Sequence, residues 1–179
     1  MTKTPESDLA KQFLTQARHL LQEVHLPRIE RCLALLTQDE IWWRPNYCSN
    51  SVGNLVLHLN GNVGQWIVSA LGGAADRRIR NWEFEERGPI SRRQLCSSLR
   101  KTVGQAVRVL RKLSSHDLRC PLTIQGFRVT GSQAVFHVVE HFSHHTGQII
   151  LLTKQQQGKD LGFTSLPGEG KKRKMLPAL

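Results

Sequence analysis

The sequence has no apolar run approaching the roughly 20 residues a membrane-spanning helix needs, which argues against a bilayer-crossing chain. Met1 to Ala10 is polar and carries both signs of charge, so the apolar middle of a secretory signal is missing too. The expected compartment is the cytoplasm. Cys32, Cys48, Cys96 and Cys120 are scattered, with no C-x-x-C pair among them. That spacing excludes a zinc ribbon or a thioredoxin-type site. In a reducing compartment they are expected to be free thiols, mostly buried as small hydrophobes. Internal repeats are absent as well.

What is present suits one soluble domain. At 179 residues, 39% apolar and 22% charged, the chain can bury a substantial core. The formal charge of +11 is the strongest deviation. Much of it comes from Arg92, Arg93, Arg100, Lys101, Arg108, Arg111 and Lys112 on one helix, and from the run Lys171 to Lys174. Such charge attracts nucleic acid or anionic surfaces. Neither stretch interleaves aromatics on which bases would stack, so a solvated face and a basic tail are expected rather than a nucleic-acid partner.

Four segments show helical periodicity. The first spans about Ser7 to Leu36, with Phe13, Leu14, Ala17, Leu20, Leu21 and Val24 on one side. Pro27 is expected to kink or break it. Thr37 to Glu40 reads as a capping box opening a short helix that Pro45 closes. The second long helix starts near Asn50 or Ser51 and runs to about Leu71, before Gly72-Gly73. The polar connection that follows, through Trp82 to Pro89, is too long for a helical hairpin. It is expected to cross an end of the bundle or to run along its side. Ser91 to Gln94 caps the third helix, which turns Leu95, Leu99, Val103, Ala106, Leu110 and Leu113 inward. Thr123 to Val129 alternates around Gly126, compatible with a small hairpin or an extended loop. Thr130 to Gln133 caps the fourth helix, which ends before Gly158. The expected fold is therefore all-α: a four-helix bundle with a long connection between helices two and three and a short extended segment before helix four. Residues 1–163 form the domain, and 164–179 a basic, disordered tail.

His137, His141, His144 and His145 fall within nine residues of the fourth helix, inside an arc of about 100°. The apolar stripe of that helix is Ala134, Val138, Phe142, Ile149 and Leu152. His145 sits inside it and His141 at its margin, while His137 and His144 lie further toward the polar flank. Imidazoles at i and i+4 share a face and can converge on one ion at about 2.0–2.1 Å. The third ligand must come from another helix, and His58, flanking the inward stripe of helix two, is the candidate. Asn62, one turn on, can orient a ligand or a water. No Glu or Asp stands beside these histidines in sequence, so an acid or base has to come from elsewhere.

Arg44-Pro45 with Asn50-Ser-Val-Gly-Asn-Leu-Val-Leu-His58-Leu-Asn-Gly-Asn62 resembles the second-helix signature of the DinB/YfiT-like metalloprotein superfamily. His141-Phe-Ser-His-His145-Thr-Gly-Gln148 resembles its fourth-helix signature. Lys154 and Gly158 to Phe163 continue the likeness toward a branch with no assigned reaction. The resemblance implies a four-helix bundle, often a homodimer. It also implies a divalent metal held by one histidine of helix two and the i,i+4 pair of helix four, here His58, His141 and His145. His144 is not expected to bind, and His137 has no assigned role. Characterised relatives include thiol-dependent transferases and isomerases that use low-molecular-weight thiols. The expectation is thus a zinc, nickel or iron site in a metal-dependent transferase or hydrolase acting on a small molecule; the alternative is a non-catalytic metal-binding bundle.

Overall fold

The computed structural model describes residues 5–88 and 90–163. The first helical arm comprises α1 (Pro5–His19), a π-helical turn (Leu20–His25) and α2 (Leu26–Leu35). Pro27 does not break this arm. The wide turn immediately before it closes by bonding the Leu26 N–H to the Leu21 carbonyl, and Pro27 then sits in the first turn of α2. A proline there needs no donor, because first-turn N–H groups lack helical partners in any case.

After the short α3 (Gln38–Trp42), the second arm is α4 (Val52–Val63) extended by a second π-helical segment (Gly64–Ser69). Helix α5 (Arg80–Glu85) lies within the long connection. The third arm is α6 (Arg92–Leu110), followed by the short α7 (Ser115–Arg119). Strands β1 (Pro121–Ile124) and β2 (Phe127–Thr130) pair antiparallel, with Pro121 opposite Thr130 and Ile124 opposite Phe127. Gln125 and Gly126 turn between them at φ 52° and 82°. Two consecutive left-handed residues suit the right-handed twist of a tight hairpin, and glycine takes the second at no steric cost. The extended segment is thus a hairpin. The fourth arm is α8 (Gly131–Gln157).

The expected capping boxes form at Thr37/Glu40, Ser91/Gln94 and Thr130/Gln133. Two more form at Ser51/Asn54 and Ser114/Asp117. Helix α2 packs on α6 and α8, and α4 packs on the same two, so the arms close a four-membered ring. Leu21, Ile29, Leu33, Leu59, Leu99, Leu110, Phe142 and Ile149 fill its centre, fully buried. Helices α4 and α6 run parallel: Thr102 faces Gly64, and Val109 faces Gly72. Parallel neighbours oblige the chain to return the length of the bundle between them. The connection therefore runs back along α4, against which α5 packs. Helices α4 and α8 run antiparallel, His58 meeting His141 and Asn62 meeting His137.

The five basic residues of α6 and the two that follow it, Arg111 and Lys112, are exposed, Arg100 pairing with Glu30 at 2.8 Å. Of the cysteines only Cys32 is buried; Cys48 is exposed and the other two are half-buried, so the expectation of mostly buried thiols fails. Leu161 docks in the core and Phe163 lies under Arg31, 5.1 Å from the guanidinium to the ring centre. The basic run 171–174 and the rest of the tail lie outside the described residues. Among the described residues no helix is long and apolar enough to cross a membrane.

Candidate metal centre

Antiparallel packing of α4 on α8 brings His58, His141 and His145 to one point. Each offers a ring nitrogen within 4.8 Å of the others. The His141 Nε2 lies 3.0 Å from His58 Nε2 and 3.2 Å from His145 Nε2. Ligand nitrogens of a tetrahedral zinc site stand about 3.3 Å apart for bonds of 2.0–2.1 Å. His58 is 5% exposed, with Phe84 against its ring at 4.6 Å. His141 and His145 are half-buried, so the cluster reaches solvent on their side.

The neighbours decide where the ring protons are. His58 Nδ1 lies 2.8 Å from Glu83 Oε2, and His145 Nδ1 lies 2.6 Å from Gln148 Oε1. Both oxygens accept, so both Nδ1 atoms donate and the two Nε2 atoms carry lone pairs in the neutral rings. These lone pairs converge on a single atom, His141 Nε2. One proton there can point at only one of them, and the other close contact is left without a hydrogen bond. His141 Nδ1 is buried and without a hydrogen-bond partner. A cation at the centre resolves the conflict, so this donor set fits a divalent metal ion.

Charge works in the same direction. Burial, then repulsion from His145 and His58, brings His141 down to about 3. Burial, against the Gln148 hydrogen bond and with His58 and His144 adding to it, also lowers His145. Neutral imidazoles are what a metal requires. In the metal-free protein the His141 shift has a sign that can be checked. Above its ordinary pKa near 6.5 the ring is neutral whether folded or unfolded. Below it, only the unfolded chain takes the proton until pH approaches 3. Metal-free protein therefore loses stability as pH falls from about 6.5 toward 3, measurable by urea melts at constant ionic strength; a flat profile there contradicts the burial of His141.

The sequence carries no sign of Glu83 or Arg78 and, though Gln148 stands in the fourth-helix motif, assigns it no role. Glu83 is 3% exposed and its carboxylate takes Arg78 Nε at 2.7 Å and Arg78 Nη2 at 2.9 Å besides His58. Burial raises its pKa, but the Arg78 and His58 hydrogen bonds and charges outweigh it and hold the group below the usual carboxylate range. Among the described residues this is the one carboxylate bonded to the trio, and both its oxygens are engaged by Arg78 and His58. Gly61 makes room for it: a Cβ there would collide with Glu83 Oε1 and come within 2.8 Å of the carboxyl carbon. Gly61→Ala is expected to fold with the carboxylate displaced from His58 and with weaker metal uptake, readable by metal titration; uptake like that of the parent chain would show that the connection gives way.

Asn62 turns to His137, 3.2 Å from its Nε2, not to the trio. His137 is not on a solvated flank as its helical phase suggests. Trp66, carried in by the second π-helical segment, stacks against it at 4.1 Å, and it lies 5.4 Å from the His141 ring. His144 is exposed and meets His145 edge-on at 5.1 Å.

The sequence profile of a family described as a protein of unknown function, DUF1572, matches residues 8–170. No curated protein matches the chain. Among solved structures, a DinB-like protein of Bacillus cereus is 19% identical with a TM-score of 0.60, covering 76% of this chain and 87% of that one. A DinB-like protein of Bacillus subtilis is 19% identical with a TM-score of 0.61, covering 84% and 94%. A conserved protein of Enterococcus faecalis is 17% identical with a TM-score of 0.65, covering 89% and 100%. The protein is a member of the DUF1572 family and has the fold of the DinB-like proteins.

Proposed function

We propose that this protein binds one divalent metal ion through His58, His141 and His145, and that it is a metal-dependent enzyme of the thiol-transferase or hydrolase type. The observation that carries the reading is the convergence of three Nε2 atoms, two of them stripped of protons by Glu83 and Gln148. Zinc, nickel and iron all accept imidazole donors. A bound divalent ion supplies Lewis acidity, which activates a water or a thiol at neutral pH. The chain's own part is to aim the three imidazoles, keep His141 and His145 neutral through burial and leave the cluster reachable from their side. A small-molecule substrate, such as a low-molecular-weight thiol, a homodimeric assembly and cytoplasmic residence complete the reading. So does a single domain over residues 1–163, with 164–179 as its appendage.

A second reading has one observation behind it. Among the described residues, the only carboxylate contacting the trio is already committed to Arg78 and His58. That favours a non-catalytic metal-binding bundle over an enzyme needing a free base.

Metal analysis of protein purified without an affinity tag tests the first step, with near-stoichiometric metal expected. Protein that arrives empty and takes up neither zinc, nickel nor ferrous iron would overturn it. The loaded protein, given a small thiol and an electrophile, then separates the two readings: turnover supports the enzyme, and silence across a broad panel supports the structural bundle.

A further inference from the structure

The buried carboxylate of Glu83 accepts three hydrogen bonds, and its surroundings exceed what an ordinary ion pair requires. Its main chain is pinned to α4, where Asn54 Nδ2 donates to the carbonyls of Glu83 and Glu86, each at 2.9 Å. Arg44 donates to the Phe84 carbonyl at 2.8 Å and to Asn54 Oδ1 at 2.7 Å. Arg78 is held in turn, because Nη1 donates to Gln65 Oε1 at 3.0 Å and the Arg78 N–H donates to Asp76 Oδ1 at 3.0 Å. Gln65 also donates to Asp76 Oδ2 at 2.7 Å and accepts from Gln125 at the hairpin tip.

We propose that Glu83 is the positioning residue of the metal centre and that Arg78 locks it in that role. The carboxylate holds the His58 proton on Nδ1, so that the Nε2 lone pair points at the ion. The guanidinium keeps the carboxylate from leaving His58 to become a ligand itself, which would close the side that reaches solvent. This inference rests on the metal-binding reading above and adds the residues that govern its geometry.

Three features support it. An ionised carboxylate has no proton to give, so the 2.8 Å contact with His58 Nδ1 is a bond only in the Nδ1–H tautomer. Arg78 Nη2 approaches that same Nδ1 to 3.2 Å. Two donors are tolerated so close together because both point at Glu83 Oε2. Lastly, Arg78 engages both carboxylate oxygens in a fork, the arrangement that most restricts how the carboxylate can turn. A carboxylate behind a ligand histidine fixes its tautomer and raises its basicity.

The test compares the parent protein with Glu83→Ala, Glu83→Gln and the double variant Glu83→Leu/Arg78→Met. The double variant removes both charges together, so it remains informative if Glu83→Ala, which strands Arg78, fails to fold. Two quantities are read: the His58 tautomer in the metal-free protein, by long-range proton–nitrogen NMR, and cobalt(II) affinity by visible absorption. The parent and Glu83→Gln, whose amide oxygen still accepts, are expected to hold His58 in the Nδ1–H form. Glu83→Ala and the double variant are expected to release it and to lose about 10–100-fold in cobalt affinity. Folded double variant with an unchanged His58 tautomer and affinity within about twofold of the parent would overturn the proposal. Should the parent bind no cobalt, the metal reading fails by itself. The metal-free tautomer measurement still decides whether Glu83 positions His58.

Discussion

His145→Ala is expected to yield a folded protein that purifies without metal. His145 is half-buried at the outer edge of the cluster, and its Nδ1 partner Gln148 is exposed. Truncation there removes a ligand without opening the core around Phe142 and Ile149. With two imidazoles in place of three, affinity should fall by more than the roughly 10–100-fold that outer-shell changes produce. Stability reports the same event. A ligand that binds only the folded state at 100 times its Kd stabilises by about 2.7 kcal/mol, so zinc should raise the melting temperature of the parent protein but not of the variant. His144→Ala is the matched control. It removes an exposed imidazole from the adjacent position and should retain both the metal and the zinc-induced shift. Metal retained undiminished in His145→Ala would exclude the proposed ligand set.

Arg78→Met carries the largest expected cost in stability. The Arg78 and Glu83 side chains are each only 4% exposed in their ion pair. Removing one partner of a buried pair strands the other charge away from water and typically costs about 3–5 kcal/mol. Glu83 can respond by taking up a proton, by drawing water into the connection, or by pulling that segment off α4. Urea unfolding at neutral pH measures the loss. Replacing both residues by apolar ones should cost far less than the single change, because no orphaned charge remains. A loss below about 1 kcal/mol, the range of exposed pairs, would mean that the connection does not seal this site from solvent.

The parts that local chemistry controls were legible in the residues. Capping boxes at Thr37, Ser91 and Thr130 satisfy orphan N–H groups within one helical turn, so their spacing is visible without a fold. The apolar stripe of α8 separates His141 and His145 from exposed His144 because helical phase is a local quantity. His137 shows where phase stops being enough. Its angular position suggests a polar flank, but Trp66 arrives from another arm and covers it. Likewise, the π-helical turn before Pro27 is a response to packing along the whole arm, and no residue pattern announced it.

The three-histidine set followed from side-chain periodicity on two helices, together with a likeness of motifs. What only the tertiary structure decided is how that set is held. Glu83 stands 25 residues from the ring it orients, on a connection whose path along α4 is dictated by the parallel course of α4 and α6. Arg44, Asn54 and Gly61 belong to the second-helix motif, but their contacts with the Glu83 segment, and the part of Arg78, emerge only once that path is known. A hydrogen bond within a helical turn depends on backbone geometry that every helix shares. A hydrogen bond between a helix and a distant connection depends on where packing sets that connection down, and periodicity carries no information about that.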